Sequence, residues 1–150
     1  MKIIDEKKTS RRLLEEILSR PLFAHLSTYH EEGPRESPVW FLWESESIWI
    51  IGNYHSDSFP ERIERFPRCS IGIIDFSIDT GLVHHVGFRG SAHLVPQDGL
   101  RVKRLLSRYM GDEERWDPRF KAVPGDINWL FVKFNPETAV VRDQSYSLQN

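Results

Sequence analysis

The sequence predicts a mainly β protein, an antiparallel barrel or sandwich of about six strands with two or three peripheral helices. Apolar runs of strand length fill the middle of the chain, and short turns separate most of them. Helices do not alternate regularly with these strands, which argues against a doubly wound parallel sheet. The 150 residues are most simply one domain spanning 1–150.

Three segments have the features of helices. The first begins at Thr9 or Ser10, which can cap it, and ends at Pro21. The second runs from about 98 to 110 and stops at Gly111, and a short third helix covers 61–65. The candidate strands are 22–29, 37–43, 48–51, 68–78, 82–95, 129–134 and 138–142.

Two of these strands carry the functional argument. The strand 37–43 is apolar on both faces, whereas 82–95 is apolar on one face and carries His85, Gly87 and Arg89 on the other. A small sheet needs only one apolar face. We therefore expect the surplus face of 37–43 to meet a ligand or a second subunit. The expected core face of the later strand comprises Val86, Phe88, Ala92 and Leu94.

Composition excludes several classes of protein. A net charge of −2 and a pI of about 6.3 give no basic excess for nucleic acid. No apolar run approaches the roughly 20 residues that span a bilayer, and the first eight residues contain no signal-peptide core. The single cysteine, Cys69, cannot form an internal disulfide. We expect a cytoplasmic protein that binds neither membranes nor nucleic acid.

The histidines and Cys69 do not form a recognisable catalytic or metal site. His84 and His85 are adjacent on a strand and point to opposite faces, while His85 and His93 would lie roughly 26 Å apart. Cys69 begins an apolar strand, where an inert buried thiol is expected. No GxSxG or P-loop pattern occurs. We assign no metal and no catalytic side chain.

The polar loop 52–58, which leads into the short helix, is a better candidate site. Ser56 and Ser58 place hydroxyl groups beside the start of that helix, and Arg62 adds a positive charge. This arrangement favours a phosphate or another anion. The alternative is ordinary N-capping by Ser58, which has the same sequence pattern.

Taken in order, these segments resemble the FMN-binding split β-barrels of the pyridoxamine 5′-phosphate oxidase-like family, from about 13 to 143. Residues 22–28 resemble its first strand, and 33–41 are similar to its strand with the pattern GxPxxxPVWF. Residues 48–53 resemble the next strand, and 85–92 match a strand written roughly QVxxxGxA.

The resemblance implies a six-stranded antiparallel split β-barrel with Greek-key connections. It further implies a homodimer with FMN at the subunit interface and flavin-dependent oxidoreductase chemistry on a small molecule. The flavin ring would lie along 38–40 and near 52–53, the phosphate would lie near the helix that follows, and His85 would touch the flavin. The implied cofactor-binding residues are Pro38, Val39, Trp40, Gly52, Asn53, Ser56, Ser58, Arg62, His85 and Arg89.

The sequence also departs from the family pattern. Family members commonly carry a Lys just before the helix at the phosphate, but 58–62 contains none, so Arg62 or Arg89 would replace it. The terminal segment 142–150 shows no equivalent of the Trp- and Arg-containing segment that grips the substrate in pyridoxamine 5′-phosphate oxidases. We therefore expect a different substrate. The alternatives are the same fold binding F420 or haem, or a non-catalytic flavin-binding or sensor protein.

Overall fold

A computed structural model describes all 150 residues and contains one eight-stranded sheet and four α-helices. The mainly β prediction is therefore confirmed. The strands are β1 (Lys2–Ile4), β2 (Ala24–Thr28), β3 (Arg35–Val39), β4 (Phe41–Glu44), β5 (Ser47–Asn53), β6 (Arg68–Ser77), β7 (Leu82–Pro96) and β8 (Trp129–Asp143). The helices are α1 (Ser10–Ser19), α2 (Phe59–Arg65), α3 (Gly99–Met110) and α4 (Pro118–Lys121).

The sheet order brings the two halves of the predicted strand 37–43 to opposite ends. Hydrogen-bonded neighbours follow the order β3–β2–β6–β7–β8–β5–β4, all antiparallel, and β1 pairs in parallel with β8. The prediction of one continuous strand is wrong, because the chain leaves the sheet at Trp40 between β3 and β4. This residue thus links the two ends of the sheet covalently. The sheet has eight strands rather than six.

The last two predicted strands are one continuous element, β8. Its pairing with β7 shifts register once, where Arg89 pairs with Thr138 and Gly90 pairs with Pro136. Glu137 is therefore the extra residue of a β-bulge. Gly90 is required at this point, since a Cβ there would lie 2.2 Å from the carbonyl oxygen of Asn135.

The main core lies between the sheet and helices α1 and α2. Its 21 buried residues include the apolar stripe of α1 and the inward-facing residues of β2, β6 and β7. Val86, Phe88 and Ala92 are at most 1% exposed, which confirms three members of the predicted core face of β7. Leu94 is half-buried and packs against the same core.

A second core of seven residues lies under α3 on the other face of β5 and β8. Trp40 and Leu42 pack against this second core, while Phe41 belongs to the first. The expectation that a ligand or second subunit covers the surplus face is therefore wrong for the β4 half of 37–43. Alternate β4 side chains enter two different cores, and α3 supplies the cover.

Arginine contacts fix α3 against the sheet. Arg101 and Arg104 both pair with Glu44, and Arg101 lies over the Trp49 ring at 3.6 Å from its centroid. The hydrogen bond from Arg104 lowers the pKa of Glu44, against a smaller opposing effect of burial. The longest helix has 12 residues, and none is long and apolar enough to cross a membrane.

Candidate functional site

Pro38, Val39 and Trp40 line an open cleft of about 230 Å³ beside the end of β5. We call it the aromatic cleft. Most of its lining is apolar, and much of that surface comes from segments remote in sequence from 38–40. The lining residues are Phe23, Pro38, Val39, Trp40, Ile51, Asp57, Phe59, Phe120 and Trp129.

Trp40 is held in place by Tyr109 of α3. The two rings stack in parallel, with centroids 4.7 Å apart and planes 3° apart. The Tyr109 hydroxyl accepts a hydrogen bond from the backbone N–H of Phe41 and donates one to the carbonyl of Leu22. Burial raises the pKa of Tyr109, which keeps the hydroxyl protonated as a donor. These contacts give the cleft one fixed aromatic wall.

Gly52 determines how the opposite wall packs. A Cβ at Gly52 would lie 3.0 Å from the Phe59 ring, so the missing side chain lets the start of α2 close against β5. Phe59 is consequently buried, at 6% exposure. Trp40 and Phe120 also approach each other, with ring centroids 5.5 Å apart. The cleft therefore has aromatic rings on several sides.

In the loop predicted to bind phosphate, most backbone N–H groups already donate hydrogen bonds within the protein. The side-chain oxygen of Asn53 accepts from the backbone N–H groups of His55 and Ser56, at 2.9 and 3.1 Å. The Asp57 carboxylate accepts from the backbone N–H of Asn53 at 2.7 Å. An anion would therefore meet hydroxyl groups here rather than a row of free N–H groups, and Ser56 lies exposed on the surface.

Ser58 and Arg62 line a separate cavity of about 210 Å³, which we call the arginine cavity. Ser58 stands at the N-cap position of α2, but its side chain makes no capping hydrogen bond. The capping alternative is therefore wrong. The residues of the cavity are Tyr29, His30, Glu31, Ser58, Glu61, Arg62, Arg65 and Phe66.

Arg62 is positioned without a carboxylate partner. Its Nε donates to the Thr28 hydroxyl at 2.7 Å, and it forms no ion pair. Burial, followed by the positive charge of Arg35, lowers the pKa of Arg62. Arg65 differs, since it lies 3.8 Å from the Glu31 carboxylate. Arg62 thus has no ion-pair partner and could bind an anion, although Glu31 and Glu61 line the same cavity.

His85 and Arg89 lie elsewhere, in a groove of about 560 Å³ on the outer face of β2, β6, β7 and β8. We call it the basic groove. Gly72 and Gly87 pair with each other across its floor. The Arg142 guanidinium is 3.4 Å from His85 Nδ1. Burial, then the Arg142 charge, lowers the pKa of His85, so its ring is neutral at pH 7.

The ten predicted cofactor residues therefore fall in separate places. The ring residues 38–40 share the aromatic cleft, Ser58 and Arg62 share the arginine cavity, and His85 and Arg89 share the basic groove. Gly52 and Asn53 act on the cleft through their contacts with Phe59 and Asp57. Asp57 and Ser58 are consecutive, so the first two cavities flank the same loop.

Six of the nine lining residues of the aromatic cleft were not predicted as site residues: Phe23, Ile51, Asp57, Phe59, Phe120 and Trp129. Asp57 and Phe59 lie within or beside the predicted loop, but the pattern there emphasised hydroxyl groups. Phe120 and Trp129 come from a segment some 80 residues later, and no local pattern connects it to 38–40.

The cleft fits the flavin ring of FMN better than it fits the phosphate. Its flat apolar walls suit an aromatic ring system. Asp57 is the only charged side chain that lines it, so a phosphate does not fit inside the cleft itself. Arg62, in the arginine cavity across the loop, is a cation without an ion-pair partner that could hold the phosphate.

The structure gives little support to thiol chemistry or to metal binding. Burial raises the pKa of Cys69 to about 12, so its thiol remains protonated. No three His, Cys, Asp or Glu side chains come together in a group that could hold a metal ion.

Comparison with known proteins identifies the family. The family model for pyridoxamine 5′-phosphate oxidase matches residues 11–139. No curated protein matches the sequence significantly.

Three similar solved structures have different ligands in their names. An F420 reductase is 23% identical with a TM-score of 0.64, covering 83% of this chain and 94% of its own. An FAD-binding protein from Mesorhizobium loti is 15% identical with a TM-score of 0.66, covering 87% and 92%. HutZ, the heme storage protein from Vibrio cholerae, is 16% identical with a TM-score of 0.62, covering 85% and 90%. These likenesses show a shared fold, and with the match of the family model over most of its length the chain belongs to the pyridoxamine 5′-phosphate oxidase family.

Proposed function

We propose that the protein binds FMN and is an oxidoreductase acting on a small molecule other than pyridoxamine 5′-phosphate. The aromatic cleft carries this proposal, because residues 38–40, which resemble the ring-binding strand of the family, line its apolar wall. FMN would supply hydride or electron transfer when bound. The free Cys69 supports a cytoplasmic location.

The chain's own residues would bind and orient the ring. The stack of Trp40 on Tyr109 fixes one wall, and Phe59 and Phe120 would shield a bound ring from water on other sides. Exclusion of water strengthens polar contacts within a site and protects reactive species. No side chain is assigned as a general acid or base.

Ser58 and Arg62 would hold the phosphate on the far side of the loop. Arg62 is the better supported of the two, since its guanidinium lacks an ion-pair partner and is anchored by Thr28. Ser58 offers an exposed hydroxyl that does not cap α2. The absence of Lys from 58–62 makes Arg62 the main source of charge.

A second copy of the chain is proposed to cover the outer face of β6. Three large apolar side chains are exposed there: Ile74 at 53%, Phe76 at 57% and Ile78 at 72%. Large apolar side chains clustered on a surface commonly mark an interface. Ile74 pairs with His85 across the sheet. A homodimer through this face would bring His85 and Arg89 to the subunit interface.

Substitution of Arg62 tests the phosphate part of the proposal. Arg62→Ala should weaken FMN about 10- to 100-fold, because a charge-assisted hydrogen bond contributes roughly 1.5–3 kcal/mol. Riboflavin lacks the phosphate and should bind equally to both proteins. Isothermal titration with both ligands measures this difference, and Arg12→Ala on exposed α1 is the matched control. Equal losses for FMN and riboflavin would remove Arg62 from this role.

The rival ligands are separated by titration of the same protein. F420 shares the flat tricyclic ring but not the tail, and an F420 reductase has the same fold. Haem would give an intense Soret band. Retention of F420 or haem in preference to FMN would replace the proposed cofactor. A flavin-loaded protein whose flavin absorbance no substrate changes would be a binding or sensor protein instead.

A further inference from the structure

The aromatic cleft has an unusual charge for a site in which a phosphate-bearing cofactor is proposed. No Lys, Arg or His lines it, and its single ionisable side chain is the carboxylate of Asp57. Five aromatic residues line the same cleft: Phe23, Trp40, Phe59, Phe120 and Trp129.

The Asp57 charge is not compensated by the protein. One carboxylate oxygen accepts the backbone N–H of Asn53, and Asp57 forms no ion pair. Arg119 lies 5.3 Å from the centroid of the Phe120 ring, but it is exposed, pairs with Asp117 and does not line the cleft. Asp57 is half-buried and lines the aromatic cleft, and no cationic side chain lines the cleft with it.

We infer that the aromatic cleft takes a small, flat organic cation, such as a quaternary or protonated nitrogen heterocycle, with its charge beside Asp57. Aromatic faces attract cations through their negative quadrupole, and a desolvated carboxylate adds to this attraction. The same groups repel anions. The cation would occupy the volume of about 230 Å³ that the proposed function gives to the flavin ring, so the two are alternative occupants of one cleft, and the preference of the cleft for positive charge does not rest on FMN.

Three probes of similar size and different charge test the inference without requiring the natural ligand. They are N-methylquinolinium, quinoline in mildly alkaline buffer where it is uncharged, and the quinaldate anion. Isothermal titration of the wild-type protein should give the tightest binding for the cation and the weakest for the anion. Equal binding of the three probes, or preference for quinaldate, would overturn the inference.

A conservative variant links the preference to Asp57. Asp57→Asn removes the charge and keeps an oxygen that can accept from Asn53, so the loop should retain its conformation. The variant should bind N-methylquinolinium about tenfold more weakly and quinoline unchanged. Asp79→Asn, in the exposed turn between β6 and β7, is the matched control and should bind all probes like wild type. An unchanged affinity of Asp57→Asn for the cation would contradict the assignment.

Titrations before and after addition of FMN distinguish this inference from the proposed function. Cation preference in a protein that retains no FMN would support the inference and reject the flavin. FMN retention without cation preference would support the proposed function and contradict the inference.

Discussion

Asp75 is the only carboxylate among the buried side chains, at 6% exposure, and its partner is Arg20 at the end of α1. Arg20→Met would leave this carboxylate inside the protein without a counter-charge. We expect the free energy of unfolding to fall by about 1–3 kcal/mol, measured by urea denaturation. Arg12→Met, on the exposed side of α1, should change it by less than about 0.5 kcal/mol. Equal stability of the two variants would show that water solvates Asp75 adequately.

His85 provides a prediction about pH. Its pKa is lower in the folded protein than its ordinary value of 6.5, because of burial and the Arg142 charge. The unfolded chain therefore binds the proton more readily, and stability falls as the pH decreases through 6.5 until the folded pKa is passed. His85→Gln should flatten the dependence of unfolding free energy on pH in this window. Arg142→Gln should flatten it partly, and an unchanged slope in both variants would contradict this cause.

Site residues could be predicted together from the sequence only where they lie close to one another along the chain. Pro38, Val39 and Trp40 lie together in the cleft because they are consecutive around the break between β3 and β4. Phe120 and Trp129 reach the same cleft only through the packing of α4 and β8. No local periodicity could indicate that contact, because periodicity reports which face of an element is buried and not what it meets.

At the scale of elements, substitution by alanine should have different effects on stability at two glycines. A Cβ at Gly90 would strike the carbonyl oxygen of Asn135 beside the β8 bulge, so Gly90→Ala should lower the free energy of unfolding by about 1–3 kcal/mol. Nothing lies within 4 Å of a Cβ at Gly99, at the start of α3. Gly99→Ala should leave stability unchanged or raise it by up to about 1 kcal/mol. Urea denaturation of both variants checks this, and a tolerated Gly90→Ala would mean that the bulge rearranges freely.

The strands were predicted correctly where alternation was long and uninterrupted. In β7 one apolar face continues from Val86 to Ala92, and the structure buries that face. In 37–43 both faces are apolar, so the pattern gave no sign of the break at Trp40. Next to the break, the hydroxyl of Tyr109 of α3 accepts a hydrogen bond from the backbone N–H of Phe41. This tertiary contact lies outside the information in local β-propensity, which favours one continuous strand here.

At the scale of the whole molecule, the exposed apolar stripe of β6 predicts self-association. Phe76→Lys places a charge at the centre of the proposed interface and should shift the mass measured by light scattering from dimer to monomer. Ile127→Lys is a suitable control, because Ile127 is 93% exposed and lies in the loop before β8. A monomeric wild-type protein, or a dimeric Phe76→Lys variant, would contradict the proposed interface.

The overall architecture was accessible from the sequence because ordered segments along most of the chain resemble one family. The ligand was not, because relatives of this fold include F420, FAD and heme proteins, and the present phosphate loop lacks Lys. The separation of Arg62 from the aromatic cleft was also invisible, since both adjoin the same loop in sequence.

The most direct test of the central claim is the visible absorption spectrum of the purified protein after incubation with FMN and desalting. The proposed function predicts flavin bands that elute with the protein at one FMN per chain. A protein that elutes without flavin would contradict it.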